Sequence, residues 1–167
     1  RGYDWLFNSY VTRQQENAPM LKWAESLGAK SVACLLGTDD DSRSLMDYFI
    51  EEGEKMGIEI YPEWINPADN DFTANITSAR SNDPDAYFVL SADVTMSKIL
   101  RQMKQMGIEE PINTGGAMGV QSFVDLMEAD ELEGIYGQAS ILPPYIIEDP
   151  RVVEYIAKYT EATGFPA

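Results

Sequence analysis

The sequence predicts an α/β fold in which helices cover both faces of a mostly parallel sheet. Helical and strand patterns alternate along the 167 residues, and the strand patterns are short continuous apolar runs. Such runs are typical of parallel strands that are buried on both faces. Hydrophobic residues make up 44% of the chain, which is enough for a sizeable core. The length fits one domain, or one lobe of a larger protein.

Each element follows from apolar periodicity and from its boundary residues. The predicted helices are residues 14–26, 41–56, 71–81, 94–106, 121–128 and 150–163. The predicted strands are residues 30–36, 58–65, 86–90, 111–114 and 134–140. Gly28, Gly57 and Gly107 follow three of the helices, where glycine commonly ends a helix. Either Asp41 or Ser42 can cap the second helix. The order predicts a Rossmann-like three-layer sandwich.

The charge and the rare residue types exclude several functions. The chain carries 28 acidic and 12 basic side chains, so its net charge of −16 disfavours nucleic acids and anionic membrane surfaces. It has no histidine and one cysteine, which excludes histidine-dependent catalytic triads, ordinary zinc sites and an internal disulfide. Cys34 lies in an apolar run and is predicted to be a buried thiol. Carboxylate, hydroxyl, lysine and phenol chemistry remain open on composition. Taken as a whole, the sequence predicts no enzyme, no catalytic residue, no metal and no cofactor.

The two ends of the chain suggest a longer protein. The sequence begins at Arg1 without a signal-peptide pattern, and it stops at residues 164–167 directly after a helical pattern. It contains no apolar run of ten residues, so direct membrane insertion is not expected. We interpret the chain as part of a longer protein.

The candidate binding residues follow the predicted strands. In open parallel sheets, ligands bind beyond the carboxyl ends of the strands, so these loops are expected to share one rim. The candidate ligand-binding residues are Thr38, Asp41, Ser42, Ala92, Asp93, Gly115 and Gly116.

Each candidate group also has a structural interpretation. The carboxylates at 39–41 are more consistent with helix capping than with a cation site, because calcium-loop spacing is absent. Asp93 either caps the fourth helix or lines the cleft, and we hypothesise that it binds ligand. Residues 114–116 could offer backbone amides to a ligand carboxylate, but a tight strand-to-helix turn is favoured.

The order of motifs resembles a known family. Asp71, Phe72 and Thr73 precede a helix, and Asn-Asp-Pro-Asp at 82–85 precedes an apolar strand. These residues resemble the central signature of the type I periplasmic substrate-binding proteins, in their leucine/isoleucine/valine-binding branch. Further segments fall in the family's order at 28–30, 43–45, 100–108 and 133–137.

The resemblance implies a function as well as a fold. It implies that residues 1–167 form a single α/β lobe, the second of a two-lobed protein whose first lobe is absent from this chain. Such a protein is a periplasmic or extracellular component of an ABC importer. It closes on a small polar solute, such as an amino acid or a related compound, and its partners are the transporter's membrane subunits. The alternative is a ligand-sensing ectodomain of the same fold that acts on a signalling partner.

The sequence departs from the amino-acid-binding members at three places. Asp41 and Ser42 replace a Tyr-Gly pair, and Ala92 and Asp93 stand where an aromatic residue is common. An acidic residue that pairs with the ligand ammonium in the branched-chain binders falls near Gly116. A branched-chain amino acid is therefore not the ligand that these residues specifically favour.

Overall fold

A computed structural model describes residues 11–138 and 149–164, and it confirms the α/β fold class. The strands are β1 (Ser31–Leu36), β2 (Glu59–Trp64), β3 (Ala86–Leu90), β4 (Ile112–Asn113) and β5 (Ile135–Tyr136). The helices are α1 (Arg13–Ser26), α2 (Asp40–Met56), α3 (Thr73–Arg80), α4 (Asp93–Gln105), α5 (Gln121–Val124) and α6 (Pro150–Thr163). The five strands form one parallel sheet in the order β2-β1-β3-β4-β5.

Helices cover both faces of the sheet. On one face, α1 and α2 bury Met20, Leu45 and Phe49 against side chains of β1 and β3. On the other face, α3 and α4 bury Ile76 and Ile99 against the alternate side chains of the same strands. Successive strand residues point to opposite faces, so the continuous apolar runs of β1 and β3 fill both cores. The three-layer prediction is confirmed.

Cys34 lies at the centre of β1 and is fully buried, as predicted. Burial raises the pKa of its thiol, because the charged thiolate would lose its hydration. At neutral pH this cysteine is a small apolar core residue.

Asp85 explains why the Asn-Asp-Pro-Asp segment lies directly before β3. Its carboxylate accepts hydrogen bonds from the backbone N–H groups of Lys30 and Ser31, at 2.7 and 2.9 Å. The Ser31 hydroxyl lies 3.1 Å from the same carboxylate oxygen. Asp85 thus holds the beginnings of β1 and β3 together, at the edge of the sheet opposite the predicted rim.

The repeated Met-Gly-Ile-Glu segments form the same turn twice. Gly57 and Gly107 both have a φ of 72°, in the left-handed region that glycine adopts without strain. The N–H of the following isoleucine then bonds back to the helix, from Ile58 to Gly53 and from Ile108 to Met103. This is the Schellman ending that the glycines predict.

The predicted elements differ from the structure mainly after β3. The helix predicted over 121–128 ends at Val124, because the chain continues with bonds of 3-10 type from Leu126 to Phe123 and from Met127 to Val124. The strand predicted over 134–140 covers only two residues, and residues 139 and 140 lie outside the described part. Its partner β4 is equally short, since a 3-10 helix, Gly115–Gly119, begins directly after Thr114.

The last helix, α6, has the predicted bounds but contributes no buried side chain to either core. The Asp149 side chain caps it by accepting from the Arg151 N–H, and Pro150 begins it. Its formation therefore reflects local capping and sequence pattern more than packing against the described sheet.

Candidate ligand-binding site

Two adjoining clefts lie at the carboxyl ends of the strands, where the rim is predicted. The first has a volume of about 340 Å³ and the second about 220 Å³. Both are lined by Arg13, Leu90 and Ser91, so they form one continuous depression. The first is further lined by Gly37, Asp39, Asp41, Ser42, Pro67 and Ala92. The second is further lined by Glu16, Asn17, Asp93, Met96, Thr114, Gly116, Ala117 and Val120.

Larger clefts occur elsewhere, but they lie at the edge of the sheet where the strands begin. One of about 440 Å³ includes Ile58 and Glu59, where β2 begins. Another of about 500 Å³ includes Ile112 and Ile135, where β4 and β5 begin. In parallel sheets the loops at the carboxyl ends carry the ligand-binding groups, so size alone does not make these clefts the better candidates.

Asp39 caps α2, which confirms the capping interpretation of the carboxylates at 39–41, but Asp41 and Ser42 are not the capping residues. The Asp39 carboxylate accepts from the Ser42 N–H at 2.9 Å and from the Ser42 hydroxyl at 2.8 Å. The prediction that Asp41 or Ser42 caps α2 is therefore wrong by two or three residues. These bonds from Ser42 lower the pKa of Asp39, which stays ionised at neutral pH and complements the positive end of the helix.

The neighbouring candidates differ in their access to the cleft. Asp41 lines the first cleft and forms an ion pair with Arg13, with Oδ2 3.0 Å from Nε. Thr38 is exposed and does not line either cleft, and its carbonyl accepts from Arg43 Nε at 3.0 Å. Of the predicted residues in this loop, the structure brings Asp41 and Ser42 to the cleft and leaves Thr38 outside it.

In the loop after β3, Asp93 is not the residue that caps α4. Ala92 is the N-cap of α4 and makes no side-chain bond to it, whereas Asp93 is the first helical residue. The interpretation of Asp93 as the cap is therefore wrong. The Ser122 hydroxyl lies 3.1 Å from Asp93 Oδ2, and the aspartate lines the second cleft.

The two glycines after β4 have different roles. Gly115 is buried with a φ of 62°, and its N–H donates to Asn113 Oδ1 at 2.9 Å. The Gly115 amide therefore already has a partner within the protein. Gly115 begins a 3-10 helix, whereas the sequence favours a tight turn at this place. Gly116 lines the second cleft.

The amino-terminal turn of α1 is the part of the site that the sequence prediction missed. Arg13 lines both clefts, and Glu16 and Asn17 line the second. Gln138, after β5, donates from Nε2 to the Glu16 carbonyl at 2.8 Å and holds this turn against the rim. The available signal was a basic residue at the start of the helix that precedes the first strand.

Two further searches covered the described residues only. Within 11–138 and 149–164, no group of three or more Asp, Glu or Cys side chains is arranged to hold a metal ion. None of the helices in this part of the chain is long and apolar enough to cross a membrane.

The two adjacent glycines allow a matched test of the rim. A Cβ at Gly115 would lie 2.7 Å from Leu90 Cδ2 and 3.0 Å from Asn17 Oδ1, at a positive φ. We expect Gly115→Ala to lower the free energy of unfolding by about 1–3 kcal/mol. At Gly116 the nearest atom to a new Cβ is Glu16 Oε1 at 3.6 Å, so we expect Gly116→Ala to cost less than about 0.5 kcal/mol. Urea unfolding of both variants measures the difference, and equal losses would contradict it.

Comparisons with known proteins agree with this architecture. The model of a family described as periplasmic binding protein matches residues 1–166. Among proteins with curated descriptions, no match was found.

Solved structures of similar fold come from several bacteria. A leucine binding protein from Thermotoga maritima shares 23% identity with a TM-score of 0.77, over 94% of this chain and 45% of that one. An amino acid ABC transporter substrate-binding protein from Pseudomonas fluorescens shares 18% identity with a TM-score of 0.72, over 90% and 41%. A fatty acid ABC transporter substrate-binding protein from Thermomonospora curvata shares 13% identity with a TM-score of 0.75, over 99% and 43%. The chain therefore spans less than half the length of each of these structures.

Proposed function

The chain belongs to the periplasmic binding protein family, and we propose on this basis that residues 1–167 form the carboxyl-side lobe of a two-lobed solute-binding protein. The complete protein is extracytoplasmic and delivers a small polar solute to the membrane subunits of an ABC importer. The ligand is an amino acid or a related compound. The chain itself carries out binding and no catalysis.

One observation carries this proposal. The loops that follow β1, β3 and β4 meet in a continuous depression, and its lining includes the polar residues Ser91, Asp93 and Thr114. The depression is open to one side, so it can contact a ligand only from the side of the sheet. A second lobe over this rim would supply the opposite wall.

The mechanism is closure about the ligand. A solute that contacts both lobes at once binds the closed form more tightly than the open form, and this difference in binding free energy shifts the population to the closed form. Asp93 offers a carboxylate to a ligand ammonium group, and the Ser122 hydroxyl holds that carboxylate in place. The membrane subunits then recognise the closed form.

A thermal-shift screen of the two-lobed protein tests the proposal. The screen compares amino acids, their amides, polyamines and aromatic acids, because a ligand that binds only the folded state raises the melting temperature. We expect stabilisation by at least one amino acid or close relative. Absence of stabilisation by every solute in the screen would contradict the proposed function.

Asp93→Asn is expected to weaken binding of an amino acid hit by about tenfold or more in the two-lobed protein. A charged hydrogen bond contributes about 1.5–3 kcal/mol, and the amide keeps the shape of the side chain while removing its charge. Asp40→Asn is the matched control, because Asp40 is exposed in the first turn of α2 and lines neither cleft. Calorimetry measures both affinities, and an unchanged affinity in Asp93→Asn would remove Asp93 from the site.

A further inference from the structure

Arg13 differs in charge from the other described residues that line the two rim clefts. It is the basic side chain that lines the two rim clefts, and it lies between them at the first turn of α1. The Asp41 carboxylate forms an ion pair with its Nε at 3.0 Å, on the side where Asp41 lines the first cleft. Arg13 was not among the residues that the sequence identified.

The ion pair uses only part of the guanidinium. Asp41 meets the Nε edge, and the two terminal amino groups have no hydrogen-bond partner among the described residues. Arg43, the other arginine near this loop, is already committed: its Nε donates to the Thr38 carbonyl, and its guanidinium lies 5.2 Å from the Trp64 ring centre. Arg13 is therefore the cation at the rim with donors to offer, and terminal guanidinium nitrogens match the geometry of a carboxylate.

A second source of positive potential faces the same depression. The N-terminus of α4 receives no side-chain cap from Ala92, so its first N–H groups and the positive end of the helix dipole lie beside Ser91 in the shared wall of the clefts. These N–H groups favour an anionic ligand group at a wall that both clefts share with Arg13, while Asp93 in the same turn offsets part of the helix dipole.

The remaining charges around the depression are acidic, and they restrict the class of ligand. Glu16, Asp39, Asp41 and Asp93 line the two clefts, so the rim is net negative even with Arg13 included. A simple anion would be repelled by these four carboxylates. A zwitterion satisfies both signs, because its ammonium group meets the acids while its carboxylate meets Arg13.

We propose that Arg13 receives the carboxylate of an α-amino-acid ligand through its terminal guanidinium nitrogens, with Asp41 acting as the positioning residue. This inference rests on the proposed function, and it adds the binding residue and the ligand group that it recognises. It also predicts that the carboxyl-side lobe binds both the carboxylate and the ammonium group of the ligand.

Matched pairs of probes test the assignment. Calorimetry on the two-lobed protein compares L-leucine, L-lysine and L-phenylalanine, each beside its own carboxyl-terminal amide. The amides keep the side chain and the ammonium group but lose the carboxylate. A net negative rim without Arg13 would favour the amides, which carry one more positive charge. We expect the opposite order in the wild-type protein, with at least one acid binding about tenfold or more tightly than its amide.

Three variants test whether the preference for the acid over the amide depends on Arg13. Arg13→Gln removes the charge and is expected to abolish or reverse the preference for the acid, whereas Arg13→Lys keeps the charge but loses the planar donor pair and is expected to retain part of it. Lys22→Gln removes an exposed positive charge from the same helix outside both clefts and is expected to leave the preference unchanged. Thermal unfolding of each variant monitors the fold, which the exposed Arg13–Asp41 pair stabilises only slightly.

The possible results separate this inference from the proposed function. An acid preference that survives in Arg13→Gln, or amides that bind as tightly as the acids, would overturn the inference while leaving solute binding intact. Failure of all six probes to bind would overturn the amino-acid class and the inference with it. A thermal-shift screen without any stabilising solute would overturn the proposed function itself.

Discussion

The isolated chain is expected to bind its amino acid ligand at least about 100-fold more weakly than the two-lobed protein. Under the proposed closure mechanism, its rim would contact the ligand from one side, through groups such as Ser91 and Asp93 that line the second cleft. In the proposed two-lobed protein, binding to the first lobe would place the ligand against this rim at a high effective concentration. Linkage of two weak sites in this way strengthens binding by about 100-fold to 10,000-fold without any new contact.

Calorimetry on both proteins measures this difference, with the strongest amino acid from the thermal-shift screen as the probe. Urea unfolding of the isolated chain is the control, since it shows whether the rim is folded when weak binding is observed. A folded chain that bound the probe as tightly as the two-lobed protein would contradict the closure mechanism. It would also mean that the depression between Arg13 and Ser91 is a complete site by itself.

The central elements could be predicted because their signals are local. The strand predicted over 86–90 coincides with β3, since five consecutive apolar residues between polar boundaries leave little choice. Gly57 and Gly107 identify the ends of α2 and α4 because a left-handed residue is needed there, and glycine supplies it. These features depend on the sequence within one turn of the residue concerned.

The part of the sheet beyond β3 is harder to predict from the sequence, because its structure depends on contacts between residues that are far apart in the chain. Gly115 begins a 3-10 helix and packs against Leu90 and Asn17, which are 25 and 98 positions away in the sequence. The short ladder between β4 and β5 follows from that early change of direction. No pattern within residues 111–140 indicates these contacts, so the predicted strands and helix were too long.

The sequence predicts only part of the site, because the remaining part also depends on contacts between distant segments. The rule that ligands bind beyond the carboxyl ends of parallel strands brought Asp41, Ser42 and Asp93 into consideration, and all three line the clefts. The contribution of Arg13 depends on how α1 lies against α2, which the bond from Gln14 Nε2 to Ser44 Oγ at 3.0 Å helps to fix. Sequence spacing does not reveal that arrangement.

Phe88→Ala is expected to lower the free energy of unfolding by about 3–5 kcal/mol, a large share of the stability of an ordinary domain. Phe88 lies on the central strand β3 with none of its surface exposed, and its ring lies 5.1 Å from Phe49 and 6.2 Å from Trp23. Truncation would remove contacts that join β3 to both α1 and α2, and the close-packed surroundings could fill the cavity only in part.

Urea unfolding of the isolated chain measures the effect of Phe88→Ala, with Tyr155→Ala on α6 as the matched aromatic control. Tyr155 is 62% exposed and α6 adds nothing to the two cores, so its truncation should cost less than about 0.5 kcal/mol. A loss below about 1 kcal/mol in Phe88→Ala would mean that β3 does not join the helices of this face into one cooperative unit. Because the rim loops follow β1 and β3 directly, the clefts at Leu90 and Ser91 depend on that unit for their shape.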